Sequence, residues 1–549
     1  MRIEALQIIK NTNEQTRQSG LQPVIDTALS RLDELRPVLR QTILEVVESG
    51  ELDRRIRMAE EFSLRRGRTN PNSELSDGAG AYFLNEDIFR QVFMSTMTDA
   101  TLERLSLGPG VSLVEPPSFY SRLLQIGQSM SSLAVNYTAE GGTAPTTKAI
   151  KQIMDAKIDP QGDFFSNDTV YLTQGATESI EIFMEMLSQT TPQAEILFLG
   201  LSYYTGPYAA LQKGLKIARA VPQTISMSEK TRFFPRYEEI EATLTPNTKA
   251  IALTLPNNPT GESYSDDEIR KILTVAKQRN ILVLLDCIFE NLYFDDARNY
   301  QSRFLQIAQE LGALDRVVVA DSLSKTQNIP GTRIGFLATT NRETKESLDN
   351  IIVARRCNPP LVEQPLIQFE GLARKIKALT MQNIALSLEK AIQTYMARDS
   401  YPFTADEFRE MYKEWDNWNE TVKQYYADNL QIVKAVLQQV AQAGSPDEAA
   451  FNTFIKLAGI PLGTNSNDFL AKLMFTLSTY TQNGACFGLS QTQWDEYLGM
   501  WIRITYASNR EELVEGLIRL VVFTEQYIEL GLGDPSKYAV LSNKYERQI

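Results

Sequence analysis

Asp321-Ser322-Leu323-Ser324-Lys325-Thr326-Gln327-Asn328-Ile329-Pro330-Gly331-Thr332-Arg333-Ile334-Gly335-Phe336 is the stretch that decides the fold. The β-branched run Val317-Val318-Val319 leads into it, so the lone Lys325 follows a buried strand directly. Hydroxyl residues surround the lysine and an arginine follows within the same loop. A lysine that condenses with an aldehyde cofactor needs this layout, with hydroxyls and a guanidinium left over for the cofactor's phosphate. A plain surface loop after a strand is the alternative, and only matches elsewhere along the chain decide between the two.

Those matches lie at the ends of other strand-like runs. Thr173-Gln174-Gly175-Ala176-Thr177 sits between Val170-Tyr171-Leu172 and an amphipathic segment. A small turn opening a helix presents unpaired N–H groups to a phosphate, so Gly175, Ala176 and Thr177 are candidates. Gly200-Leu201-Ser202-Tyr203-Tyr204 follows Ile196 to Leu199, and Tyr203 could stack on a flat heterocycle. Asn257-Asn258-Pro259-Thr260-Gly261 is a rigid turn that can aim the Asn258 amide at a phenolic oxygen. Leu284-Leu285-Asp286 ends a buried strand on a carboxylate, which needs a positive partner such as a protonated pyridine nitrogen. Trp501-Ile502-Arg503-Ile504-Thr505 sets an arginine among apolar residues, where a carboxylate is its natural ligand. A tight turn, a helix cap or an internal ion pair would explain any one of these singly.

Composition narrows the chemistry. The 549 residues are too many for one simple core, and 43% apolar with 22% charged residues is ordinary for a globular protein. A net charge of −13 argues against a nucleic-acid partner. Histidine is absent, which excludes histidine-dependent hydrolases and imidazole zinc sites. Cys287, Cys357 and Cys486 are too scattered for a metal or redox pair, so no metal and a reduced, cytoplasmic setting are expected. No signal peptide is recognised and no apolar run approaches a membrane span.

Between about 165 and 345, short aliphatic runs alternate with amphipathic segments, the pattern of βα units on a mostly parallel sheet. Such sheets bind ligands beyond the carboxyl ends of their strands, where the candidate residues fall. Residues 1–60 read as a helical extension with apolar positions Leu29, Leu32, Leu35, Val38 and Leu39. The expected division is 61–140 for the start of a small domain with a dimer-contact segment, 141–350 for the large domain, 351–440 for a long helical linker or insert, and 441–549 for the remainder of the small domain.

In this order the motifs resemble the pyridoxal-phosphate-dependent aminotransferases of fold type I, the class I/II group around aspartate aminotransferase. The resemblance runs from about Gly67 to Ala507 and is carried chiefly by Asn258-Pro259-Thr260-Gly261 and by Ser322, Lys325 and Arg333. It implies an α/β fold with a mostly parallel central sheet, helices on both faces, and a smaller α+β domain built from both chain ends. It implies pyridoxal 5'-phosphate as cofactor and an amino acid and a 2-oxo acid as substrates. Lys325 would be the residue bonded to the aldehyde and the base, Asp286 the partner of the ring nitrogen, Asn258 the donor to the ring oxygen, and Tyr203 the stacking ring. Gly175, Ala176, Thr177, Ser322, Ser324 and Arg333 would surround the phosphate, and Arg503 would clamp the substrate carboxylate. Asn136-Tyr137-Thr138 resembles the segment whose tyrosine reaches the neighbouring subunit's phosphate, implying a homodimer with its active site at the interface. Gly67 resembles the glycine that closes over substrate.

Two departures qualify the resemblance. Relatives carry a tyrosine three residues after the aspartate, where this chain has Phe289. Losing that hydroxyl leaves more negative charge on the ring oxygen and predicts a cofactor–lysine bond that titrates higher, unless Tyr204 or Tyr293 substitutes. The length, and the loop Gly67-Arg68-Thr69-Asn70-Pro71-Asn72, also resemble the aspartate 4-decarboxylase branch, which makes Arg68 a candidate contact for a distal anionic group. A lyase, decarboxylase or specialised biosynthetic enzyme on this scaffold is therefore the second reading. An aminotransferase-like regulator is the third, weakened by an N-terminus without a recognisable DNA-binding helix pair.

Overall fold

A computed structural model describes residues 20–50, 52, 54–56, 102, 104–108, 110–129, 137, 139–228, 230–356, 362–382, 388–396 and 401–534. Its strands, in chain order, are β1 Leu105–Ser106, β2 Val170–Gln174, β3 Glu195–Leu199, β4 Lys216–Ala220, β5 Thr248–Thr254, β6 Leu282–Asp286, β7 Val317–Ser322, β8 Ile334–Thr339, β9 Ala441–Gly444, β10 Asn452–Leu457, β11 Thr479–Tyr480, β12 Gln482–Asn483 and β13 Trp501–Thr505.

The central sheet has seven strands in the order β2-β8-β7-β6-β5-β3-β4. The pairs β3/β4, β3/β5, β5/β6 and β6/β7 are parallel, whereas β8 runs antiparallel to both its neighbours. The parallel strands are apolar almost throughout because helices cover both faces. On one face Leu285, Val319 and Leu253 pack with the helices Ala144–Ile158 and Gln364–Met381. On the other, Leu284, Val318 and Ala320 meet the helices Gly175–Thr190 and Arg342–Arg356. The strands expected from sequence are all present; β4 and the antiparallel β8 add to them.

A second core lies beside an antiparallel sheet ordered β12-β13-β10-β9. The helix Gln22–Glu48 contributes Ala28, Leu32, Leu39, Ile43 and Val47 to this core, alongside Leu513, Leu517 and Leu520 of the helix Arg510–Glu529. Arg36 pairs with Glu525 at 3.1 Å and Arg31 with Glu515 at 3.0 Å along the same contact. The N-terminal helix is thus built into the C-terminal part of the molecule. Val38, expected on its apolar stripe, is 60% exposed, because the buried face is centred on Leu32, Leu39 and Ile43.

The helix Ala405–Leu437 has 33 residues, a rod of about 50 Å. Phe408, Met411, Tyr412 and Trp415 enter the first core, and Val422, Tyr426, Leu430 and Val433 enter the second. Its start is fixed by a capping box, with Thr404 Oγ1 accepting from Glu407 N–H and Glu407 accepting from Thr404 N–H. No described helix is long and apolar enough to cross a membrane.

Candidate active site

A cleft of about 260 Å³ opens at the carboxyl ends of the central strands. Lys325, Asp286, Asn258, Tyr203, Ala176, Thr177, Ser324, Arg333 and Arg503 all line it, together with Gly110, Val111, Phe289 and Gln482. Residues far apart in sequence meet here because each parallel strand delivers its last residue to one edge of the sheet.

Lys325 sits in the one-turn helix Leu323–Thr326 that follows β7. Ser322 caps that turn, its Oγ accepting from Ser324 N–H at 3.3 Å. Ser322 is fully buried and stands behind the cleft wall, whereas Ser324 faces the cleft. Burial, then the charges of Arg503 and Arg333, pull the Lys325 amine down to about 8 against the opposing pull of Asp286. Its Nζ donates to the Gly110 carbonyl.

Asp286 ends β6 in register with Thr254 of β5, whose hydroxyl donates to its Oδ2 at 3.3 Å. Its Oδ1 accepts from Ile288 N–H at 3.1 Å. Burial pushes its carboxyl up to about 7, helped by the charge of Asp321. An acid in that condition gains from a cationic partner.

Asn258 lies on the turn after β5. That turn is braced by Asn257, whose Nδ2 donates to Leu201 O at 2.8 Å and whose Oδ1 accepts from Thr260 Oγ1 at 2.9 Å. Arg503 Nη1 donates to Asn258 Oδ1 at 3.1 Å. A guanidinium has no acceptor, so the Asn258 oxygen must face it and the amide NH₂ is left for a ligand.

Arg503 is fully buried on β13 opposite Phe454 of β10. Its guanidinium carbon lies 5.8 Å from the Tyr203 ring centre and 5.0 Å from that of Phe487, and Nη2 donates to the Gly108 carbonyl. Tyr203 meets Tyr204 edge-on at 4.8 Å.

Gly175 opens the helix Gly175–Thr190 at φ +79, where a Cβ would lie 2.7 Å from Arg333 Nη2. Glycine thus lets the guanidinium approach the helix N-terminus. Arg333 Nη1 and Nη2 donate to the carbonyls of Pro330 and Gln174, each at 3.2 Å. An exposed guanidinium beside open helix N–H groups is a cradle for a phosphate dianion. With a buried lysine of lowered basicity, a carboxylate, an amide donor and this cradle in one cleft, the residues fit pyridoxal 5'-phosphate.

Tyr137 is 84% exposed and outside the cleft. Gly67 and Arg68 lie outside the described residues. Tyr293 does not substitute for the hydroxyl missing at Phe289, because it shares a 2.9 Å hydrogen bond with Ser263 on the wall of a different cleft. Tyr204 packs on Tyr203 and does not line the cleft. Sequence reasoning missed Gly108 and Gly110, which act through backbone carbonyls. It also missed Gln482, whose register opposite Arg503 depends on the pairing of β12 with β13.

Fold and cleft together suit an enzyme that works with a phosphate-bearing aldehyde cofactor. The family model for aminotransferase class I and II matches residues 128–520. An aspartate aminotransferase of Pyrococcus horikoshii is 23% identical over 387 residues, covering 69% of this chain and 83% of its own. In fold, N-succinyldiaminopimelate aminotransferase from Mycobacterium tuberculosis superposes with a TM-score of 0.58 at 20% identity, over 76% of this chain and 93% of its own. The aspartate aminotransferase from Rhizobium meliloti gives 0.59 at 19% identity, over 80% and 96%. The chain belongs to the class I and II aminotransferases, pyridoxal-phosphate-dependent enzymes that move an amino group between an amino acid and a 2-oxo acid.

Proposed function

We propose that this cleft carries the reaction and that its residues divide the work as follows. Lys325 Nζ would hold the cofactor through its aldehyde and would take and return the proton at the substrate's α-carbon. Its depressed basicity, at about 8, leaves a useful fraction neutral near neutral pH. When bound, pyridoxal phosphate supplies the electron sink for that carbon. Asp286 would hold the positive ring nitrogen, and Asn258 would donate to the ring oxygen. Arg333, Ser324 and the N–H groups of Ala176 and Thr177 would hold the phosphate. Ser322 acts one layer back by fixing the turn that carries the lysine.

Arg503 binds the substrate α-carboxylate through its fork of donors, with Tyr203 and Phe487 against the guanidinium. The single observation that carries this reading is that Lys325, Asp286, Asn258, Arg333 and Arg503, drawn from four separate stretches of sequence, line one cleft. We further propose a cytoplasmic homodimer in which the exposed Tyr137 serves the neighbouring subunit's cleft. The segments around Gly67 and Arg68 remain candidates for substrate contact.

The purified protein, incubated with a panel of amino acids with and without 2-oxo acid acceptors, tests the reading by product identification. Formation of a new 2-oxo acid only when an acceptor is present supports it. Turnover without an acceptor, with loss of CO₂ or another fragment, would establish lyase chemistry instead.

A further inference from the structure

The long helix Ala405–Leu437 does more than join the two cores. Gly110 and Val111, which line the cleft, are flanked by backbone hydrogen bonds at Leu107 and Leu113. Leu107 N–H donates to Tyr480 O and Leu113 N–H to Ala507 O, each at 2.8 Å. Between those anchors the Gly108 and Gly110 carbonyls face Arg503 and Lys325. Ser112 ties this stretch to the rest of the molecule through its side chain. Its Oγ accepts from the Tyr426 hydroxyl at 2.7 Å and lies 2.8 Å from Asn328 Nδ2. Asn328 Nδ2 and the Tyr426 hydroxyl are themselves 2.9 Å apart.

The three side chains come from three elements. Asn328 belongs to the loop that carries Lys325, and holds a left-handed backbone at φ +55 that asparagine tolerates better than most residues. Tyr426 lies on the long helix, 1% exposed, with its ring against Phe451 at 5.4 Å. Trp418, two turns earlier on that helix, donates to the carbonyl of Glu115, the residue that follows the 107–114 stretch, at 2.9 Å.

We propose that Ser112, Asn328 and Tyr426 form a latch through which the long helix sets the position of the 107–114 segment over the cleft, making Tyr426 a positioning residue for substrate binding. Tyr426 does not line the cleft, so it acts only through Ser112 and Asn328. A segment held in place presents Gly110 and Val111 to the incoming amino acid in one arrangement, whereas a loosened one must be ordered on each binding event. The consequence falls on binding rather than on proton transfer, because the turn that carries Lys325 is fixed separately by Ser322 and by Arg374, whose Nη2 donates to Thr326 Oγ1 at 3.2 Å.

This inference rests on the cleft being the active site, and the test separates the two. Tyr426→Phe removes only the hydroxyl and keeps the ring packing. In the holoenzyme it is expected to raise KM for the amino acid about fivefold, the cost of one hydrogen bond, with kcat changed less than about twofold. Amide hydrogen exchange across the 107–114 backbone should quicken while that of β13 stays the same. Ser112→Ala, which leaves the Tyr426–Asn328 contact intact, should reproduce the KM effect, and the double variant should add little to either. If wild-type enzyme carries its cofactor on Lys325 yet Tyr426→Phe and Ser112→Ala leave KM unchanged, or lower only thermal stability or kcat, the latch is refuted and the active site stands. If the cofactor bonds elsewhere in the wild type, the site reading itself fails.

Discussion

Arg503 donates to Asn258 Oδ1 at 3.1 Å, joining the strand that would clamp the substrate to the turn that would hold the cofactor ring. The bond orients both partners: it leaves the Asn258 amide NH₂ toward the cleft and fixes one edge of the guanidinium. Substitution by aspartate would turn this neutral acceptor into a charged one that competes with the substrate carboxylate for Arg503. Asn258→Asp is expected to raise KM for the amino acid about 10- to 100-fold, the worth of a charge-assisted pair. Steady-state kinetics at saturating cofactor measure this.

Arg503 also depresses the Lys325 amine, second only to burial. Only the neutral amine attacks an aldehyde, so covalent capture of cofactor by the apoprotein should rise with pH and level off above about 8. Arg503→Met removes one of the two positive neighbours and should move that midpoint upward. Stopped-flow absorbance across a pH series reads both values; an unchanged midpoint would remove Arg503 from the electrostatics of the lysine.

Asp286 should reveal a conflict between stability and function. Its carboxyl is raised from 3.8 to about 7, so the folded apoprotein binds more protons than the unfolded chain between those values. Stability contributed by this group is therefore full at low pH and is lost as pH rises through about 7. Asp286→Asn should make the apoprotein more stable at pH 8, by about 1–3 kcal/mol, with no gain below pH 4. The same variant should bind pyridoxal phosphate more weakly and lose most activity, because the ring nitrogen loses its counter-charge. Paired thermal melts of apo and holo forms check the two signs.

Phe289 lines the cleft, 2% exposed, and offers no hydroxyl there. Phe289→Tyr supplies a donor to the cofactor's ring oxygen and should lower the pH midpoint of the holoenzyme's visible absorption. A spectral titration that shows no downward shift would mean the hydroxyl is not felt there.

Much of this site was legible in sequence for a definite reason. A polar residue at the end of an apolar run, as in Asp286 or Arg503, is costly to bury and announces a partner. Lys325 and Arg333 share one loop, so local spacing was enough. Gly108 and Gly110 left no such mark, since a carbonyl carries no side-chain signature and their approach to Arg503 depends on β1 pairing with β11. Tyr426 carried no site signature in the sequence, because its contacts with Ser112 and Asn328 join segments distant in the chain. The antiparallel β8 was equally hidden: Ile334–Thr339 is apolar up to its last residue and buried throughout, which fits either direction of a strand.

The proposed function requires a covalent bond between pyridoxal phosphate and the side-chain nitrogen of Lys325. Borohydride reduction of the holoenzyme, digestion and mass spectrometry should find the pyridoxyl label on the peptide containing Ser324-Lys325-Thr326. A label on any other lysine, or on none, would contradict it.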